Sequence, residues 1–274
     1  LAGVTVSGLN FVSGSENSTV QGLVVNQFDG DGVDGNAFVI DVIANYLGTD
    51  VSGTLSGFGN DDGVKANGNG WDIIGNLISG NDDDGIQLDG NNANVTGNTI
   101  GLQASGTETL ANASDGIEIK GTGNSIGDGT IVGRNVISGN SGAGILVDSV
   151  TTGLNTIEGN FIGTDKDGLA PLGNVGYGVE IYESSNQVIG GSGTNELNVI
   201  SGNISGGIAI FGSAATGNIV QGNYIGVDRT GDVGLGNTGD GIAITAGASN
   251  NTIGGNRAAG EGNVISANTG ALAV

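Results

Sequence analysis

At intervals of about thirty residues along the chain a glycine is followed by an aliphatic residue, any residue, and a second aliphatic residue. The copies are Gly3-Val-Thr-Val, Gly63-Val-Lys-Ala, Gly85-Ile-Gln-Leu, Gly116-Ile-Glu-Ile, Gly144-Ile-Leu-Val, Gly178-Val-Glu-Ile, Gly207-Ile-Ala-Ile and Gly241-Ile-Ala-Ile, with degenerate copies at Gly32 and Gly270. Self-similarity at such a period marks a stacked repeat architecture, because one repeat cannot bury its apolar face alone. The spacing runs from 22 residues (Gly63 to Gly85) to 34 (Gly144 to Gly178), and ten glycines define nine intervals. Two further short motifs fall inside the intervals. One is Asn-x-Ile-x-Gly-Asn, as at Asn155 to Asn160 and Asn218 to Asn223. The other is Asn-Val-Ile-Ser-Gly-Asn, at Asn135 to Asn140 and Asn198 to Asn203, with variants at Asn76 to Asn81 and Asn263 to Asn268.

Each motif is three to five residues of alternating aliphatic pattern bounded by Gly and Asn, which reads as a short strand. No segment keeps a 3.6-residue period, so helices are not expected. Three strands and three turns per repeat predict an all-β fold, a right-handed parallel β-helix of about nine coils. With about 4.8 Å between paired strands, the rod would be roughly 43 Å long. The whole span 1–274 reads as one domain, expected to be a fragment of a longer protein.

Composition supports a thin core. Hydrophobic residues make up 36 % of the chain, but aromatic residues only 4 %. Gly supplies 58 positions and Pro one, without the Gly-X-Y period of collagen. In each glycine-led strand, positions one and three after Gly should point inward. These are Val4/Val6, Val64/Ala66, Ile86/Leu88, Ile117/Ile119, Ile145/Val147, Val179/Ile181, Ile208/Ile210 and Ile242/Ile244. Gly and Asn are expected at the corners, where a left-handed backbone is needed and stacked amides can bond from coil to coil.

Coils of two kinds alternate, one of them carrying a longer loop. Asn160-Phe-Ile-Gly-Thr-Asp165 aligns with Asn223-Tyr-Ile-Gly-Val-Asp228, 63 residues later. These motifs resemble those of bacterial right-handed parallel β-helix repeat proteins, which are large surface or secreted proteins. The resemblance runs from Gly3 to Gly270 and implies an extracellular or cell-surface location. It leaves function open, since the same solenoid carries pectate and alginate lyases, polygalacturonases, epimerases, tailspikes and adhesins. In the enzymes of that fold the outer face of the first strand holds the substrate groove.

Composition narrows the partners. The net charge of −22, from 28 acidic and 6 basic side chains, argues against nucleic acid and anionic membrane surfaces. Without Cys there is no disulfide framework, and no apolar run reaches the length of a membrane span. An extracellular polysaccharide or a cell-surface glycan is the expected partner. The oligomeric state is not readable.

The residue before the repeat glycine is aspartate in four successive coils: Asp31, Asp62, Asp84 and Asp115. Stacked carboxylates repel unless something intervenes, and Ca²⁺ is the expected intervening cofactor. Asp34, Asp61, Asp82, Asp83 and Glu118 enlarge the patch. The competing expectation is that these aspartates accept hydrogen bonds from backbone N–H groups. No organic cofactor is expected.

Lys65 lies amid this patch and Lys120 two coils on. A lysine beside carboxylates and Ca²⁺ is the base type of a β-elimination lyase, which would place catalysis on Asp62, Lys65, Asp84 and Glu118. Paired carboxylates suit inverting hydrolysis at about 6.5–9.5 Å separation. Asp61-Asp62-Gly63-Val64-Lys65 is similar to the Asp-Asp element of polygalacturonases. The chain departs from those enzymes in having no His and no Arg beside this face. The leading reading is therefore a non-catalytic stalk, scaffold or adhesin with Lys65, Lys120, Tyr177, Tyr182 and Phe211 as carbohydrate contacts. The Asp-x-x-Gly loops at Asp50 and Asp165 lack a full Ca²⁺-ligand series and read as turns.

Overall fold

A computed structural model describes residues 5–148 and 153–270. Twenty-seven short strands form three parallel sheets of nine, each strand paired with its equivalents one coil before and after. The first sheet runs from Leu9–Phe11 to Asp240–Thr245, the second from Thr19–Gln21 to Thr252–Ile253, and the third from Val24–Val25 to Val264–Ile265. The described residues therefore form a parallel β-helix of nine coils, with one short 3₁₀ turn, Arg257–Ala259, and no α-helix.

The core is four side chains wide at each level. Two come from the first sheet, as with Ile117 and Ile119, one from the second (Ile126) and one from the third (Ile137), all fully buried. Parallel register stacks each on its like: Ile86 on Ile117 on Ile145, and Ile100 on Ile137 on Ile162. So narrow a core has little room for rings, which accounts for the scarcity of aromatics. Each stacked aliphatic side chain gains about 25 cal/mol per Å² removed from water, and that gain exists only with a neighbouring coil in place.

The first coil departs from the sequence expectation. The strand paired with Val33–Gly35 is Leu9–Phe11, led by Gly8 rather than Gly3. Val6, expected inside, is 54 % exposed, and Val4 lies outside the described residues, as do the residues after Gly270. Pairing decided between two similar segments: Asn10 on the Gly8 strand donates its amide to Asp34 Oδ2 at 2.9 Å.

The repeat glycines are required for closeness rather than for left-handed backbone. A Cβ on Gly116 would lie 2.6 Å from the Gly144 carbonyl oxygen, 2.6 Å from Ile137 Cγ2 and 2.8 Å from Asn140 Nδ2. Left-handed backbone falls instead on Asn17, Asn92, Asn186 and Asn250, in turns before second-sheet strands, and the other corner asparagines do not adopt it. They form two unbroken ladders, one on each side of the third sheet. The first runs Asn45, Asn76, Asn98, Asn135, Asn160, Asn198, Asn223, Asn263. The second runs Asn60, Asn81, Asn112, Asn140, Asn174, Asn203, Asn237, Asn268. In both, each Nδ2 donates to the Oδ1 one coil on, at 2.7 to 3.2 Å. The third corner changes character along the rod. Ile40, Trp71 and Ala93 occupy it in the early coils, then Asn124, Asn155, Gln187 and Asn218. Trp71 is fully buried, donates Nε1–H to the Ala37 carbonyl at 2.9 Å, and meets the Phe11 ring edge-on.

The alternation of coil types has a mechanical cause. Loops after every second strand of the third sheet stack directly on one another, two coils apart. The Ala104 N–H donates to Gly53 O, Lys166 N–H to Gly106 O and Arg229 N–H to Gly168 O. Each loop therefore fills two coil heights. Tyr46, Phe161 and Tyr224 are strand residues of the third sheet whose rings lie under Gly53, Gly168 and Gly231. The Asp-x-x-Gly segments are turns closed from within. Asp50 accepts the N–H groups of Ser52, Thr54 and Leu55, and Asp165 those of Leu169 and Ala170.

Candidate functional site

The outer face of the first sheet carries most of the chemistry the sequence singled out. Fixed register turns three sequence positions into three columns. Just before the repeat glycine stand Asp31, Asp62, Asp84 and Asp115; two after it Asp34, Lys65, Gln87, Glu118, Leu146 and Glu180; four after it Asn67, Asp89, Lys120, Asp148, Tyr182 and Phe211.

The aspartate column is a side-chain-to-backbone ladder. The Asp62 N–H donates to Asp31 Oδ1 at 3.2 Å, Asp84 N–H to Asp62 Oδ1 at 3.0 Å and Asp115 N–H to Asp84 Oδ1 at 2.8 Å. Ala143 N–H closes the series on Asp115 Oδ1, and the column ends there because Ala143 offers no acceptor to the next coil. Of the two expectations for these aspartates, the hydrogen-bonding one is realised along the column. It leaves the carboxylates in a costly place. Asp62 and Asp84 are nearly covered, and burial raises Asp62 to about 6, Asp84 to about 7 and Asp115 to about 6 against the outweighed pull of their N–H donors and of Lys65.

One part of the column gathers a third carboxylate. Single carboxylate oxygens of Asp62, Asp83 and Asp84 lie within 4.8 Å of one another, the only such trio among the described residues. These three could hold a metal ion, whereas Asp31 and Asp115 stand outside the group. Asp61 and Asp82 instead line an adjoining cleft of about 450 Å³ with Asp29 and Phe28.

Both lysines are engaged. Lys65 Nζ donates to Asp62 Oδ2 at 3.2 Å and to Gln87 Oε1, and Lys120 Nζ to Glu118 Oε2 at 2.6 Å. Burial works to depress both ammonium groups, but the surrounding carboxylates outweigh it and both end above the ordinary lysine range. A lysine held as a cation is poorly placed to take a proton.

Two of the three aromatic residues come together. Tyr182 and Phe211 stack across neighbouring coils with ring centroids 5.0 Å apart. Tyr177 belongs to the same strand as Tyr182 but five residues earlier, roughly 16 Å along it. Its ring lies instead over Gly206, where an added Cβ would be 2.6 Å from Tyr177 Cε1. Sequence reasoning missed Gln87, which bridges Lys65 to Asp89 by accepting from one and donating to the other at 3.1 Å. It also missed Asp89, Asp148 and Glu180 as open carboxylates of this face. The signal was there, since they occupy the same two outward columns.

No family model matches the chain, and no curated protein does. Among solved structures, the Dettilon tailspike protein gp208 is 15 % identical with a TM-score of 0.46, over 90 % of this chain and 49 % of its own. The chain thus spans about half the length of that protein. The A-modules of the Azotobacter vinelandii mannuronan C-5 epimerases AlgE4 and AlgE6 are 12 % and 14 % identical, each with a TM-score of 0.44. They match over 92 % and 94 % of this chain and 75 % of their own.

Proposed function

We propose that the chain is a non-catalytic β-helical segment of a secreted or cell-surface protein, and that the outer face of its first sheet holds a glycan. The observation carrying this reading is the pairing of an open aromatic platform, Tyr182 on Phe211, with a continuous ribbon of polar side chains fixed in register along the rod. Sugar rings stack on aromatic faces while their hydroxyls need dense donors and acceptors around them. Reading the face as binding rather than catalytic rests on the state of its lysines. The proposed base, Lys65, is committed to Asp62 and Gln87 as a cation, and the perturbed carboxylates serve the ladder.

The test offers a panel of neutral, cationic and anionic polysaccharides, with Ca²⁺ and with EDTA. It reads retardation in affinity gels beside assays for reducing ends and unsaturated products. We expect retardation by at least one polymer and no turnover, with retardation weakened by Tyr182→Ala. Turnover that disappears in Lys65→Ala would overturn the reading in favour of a lyase.

Ca²⁺ is the cation we assign to Asp62, Asp83 and Asp84, since three carboxylates on a rigid backbone are hard oxygen ligands. At a concentration 100 times its dissociation constant, Ca²⁺ would stabilise the fold by about 2.7 kcal/mol. The expected result is a raised unfolding midpoint that EDTA reverses and Asp83→Asn removes, Asp83 being exposed and outside the ladder. A midpoint indifferent to Ca²⁺ ends the assignment.

A further inference from the structure

The face has a charge problem that bears on which sugar polymer it fits. Its lysines are each matched to a carboxylate of their own, Lys65 to Asp62 and Lys120 to Glu118. No arginine stands in the three outward columns. Asp34, Asp89, Asp148 and Glu180 are left with no cationic partner among the described residues. They occupy the second or fourth position after the glycine in four of six consecutive coils, those led by Gly32, Gly85, Gly144 and Gly178. Lys65 attracts Asp34, and both lysines attract Asp89, but none of these forms an ion pair. Burial, with Asp115 and Asp148 nearby, holds Glu180 above the ordinary carboxylate range, as expected of a group that lacks a counter-charge.

A uronate polymer laid along this face would set like charge against like at four of these six coils, with no guanidinium to receive it. A neutral chain would bring these carboxylates hydroxyl donors but no charge, and Asp34 and Asp89 already accept from the amides of Asn10, Asn67 and Gln87. A chain bearing ammonium groups supplies the missing charge. The coil rise of about 4.8 Å is close to the length of one pyranose unit, so successive amino sugars along the axis meet successive coils. The rings of such a chain still have Tyr182 and Phe211 to stack on.

We propose that the partner of the first-sheet face is a de-N-acetylated amino-sugar polysaccharide, lying along the rod with its ammonium groups on Asp34, Asp89, Asp148 and Glu180. This deepens the glycan-binding reading and rests on it. The occupant is chosen by charge complementarity on an otherwise unpartnered sheet face.

The experiment is isothermal titration of the whole chain with three oligosaccharides of equal length: glucosamine, N-acetylglucosamine and a uronate. Because a net charge of −22 attracts any polycation, the variants carry the discrimination. Asp89→Asn with Asp148→Asn and Glu180→Gln removes three charges from the face. Asp167→Asn with Asp232→Asn and Asp128→Asn removes three from loops elsewhere. We expect the glucosamine oligomer to bind at least tenfold more tightly than its acetylated form. The face variant should lose most of that difference and the loop variant almost none. Equal losses in both variants would reduce the effect to overall charge and overturn the proposal. Equal affinity for the acetylated oligomer, or preference for the uronate with Ca²⁺, overturns the charge assignment and leaves glycan binding standing. Silence towards all three, with the fold intact by circular dichroism, sinks the glycan reading itself.

Discussion

Replacing Asn98 by alanine should lower the stability of the chain by about 3–6 kcal/mol, one of the two largest effects foreseen for any single change. Asn98 is fully buried at the middle of its ladder. Its Oδ1 accepts from the backbone N–H of Asn76 at 2.8 Å and from Asn76 Nδ2 at 3.0 Å. Its Nδ2 donates to Ile73 O at 2.8 Å and to Asn135 Oδ1 at 3.0 Å. Alanine removes every one of these at once. Two donors on Asn76 are stranded away from water, at about 1–3 kcal/mol each, and an apolar void replaces the amide. Asn98→Asp sharpens the test, because it keeps the acceptor for Asn76 but turns a carboxylate towards Ile73 O and Asn135 Oδ1. It should be no better than alanine at neutral pH. By contrast, Asn10→Ala on the exposed face should cost under about 0.5 kcal/mol. Denaturant unfolding measures all three. A loss below 1 kcal/mol for Asn98→Ala would show that the ladder follows the fold rather than holding it.

That ladder shows what sequence reasoning can reach. Period-two aliphatic pairs behind a glycine have a single reading once they recur, because a slip of one residue would turn every core side chain outward. The nine coils, the inward columns from Val64 to Ile210 and the coil-to-coil use of asparagine amides follow from that alone. The first coil does not, because Gly3-Val-Thr-Val fits the aliphatic pattern better than Gly8-Leu-Asn-Phe, whose inward third residue is aromatic. Only contact with Val33 and Asp34 selects the Gly8 segment. The reason for the repeat glycines was equally hidden. Left-handed backbone and close approach demand the same residue, and only the 2.6 Å between a Cβ on Gly116 and the Gly144 carbonyl tells them apart.

The site was legible in outline for a related reason. Column membership follows from the register, so Asp31, Asp62, Asp84 and Asp115 had to stack. The same rule sets Tyr177 apart, since it precedes its glycine while Tyr182 stands four after. What the register cannot say is where a carboxylate oxygen points. Whether the aspartates face a cation or the next coil's N–H depends on rotamers, and the ladder geometry supplies that answer only in three dimensions.

The aspartate column also raises a question that the asparagine ladders answer. An asparagine there would accept the same N–H without burying a charge, so without added Ca²⁺ Asp84→Asn should stabilise the protein at neutral pH. The sign follows from linkage. Asp84 is held at about 7 in the fold, chiefly by burial, and returns to an ordinary carboxylate value of about 3.9 when unfolded. Below pH 4 both states are protonated and the group is neutral in the balance. Between pH 4 and 7 the unfolded chain releases the proton first, so stability falls as pH rises across that window. Each unit of displacement is worth about 1.4 kcal/mol, and with water screening the rim we expect about 2 kcal/mol from this residue at pH 8. Asp62 and Asp115, displaced in the same direction, add to the slope. Asp50 and Asp228 are displaced downwards by the N–H and hydroxyl groups of their own turns, and their losses fall only in more acidic solution. The native chain should therefore melt at a lower temperature at pH 8 than at pH 4.5. Asp84→Asn should melt higher than the native chain at pH 8 and nearly equal to it at pH 4.5. A variant that is weaker at pH 8 would mean that the ionised carboxylate stabilises the column, and a bound cation would then be the first cause to seek. If the gain is found, Asp62, Asp84 and Asp115 keep a charge that folding alone would discard. Such a cost is retained where a surface needs its charge for a partner.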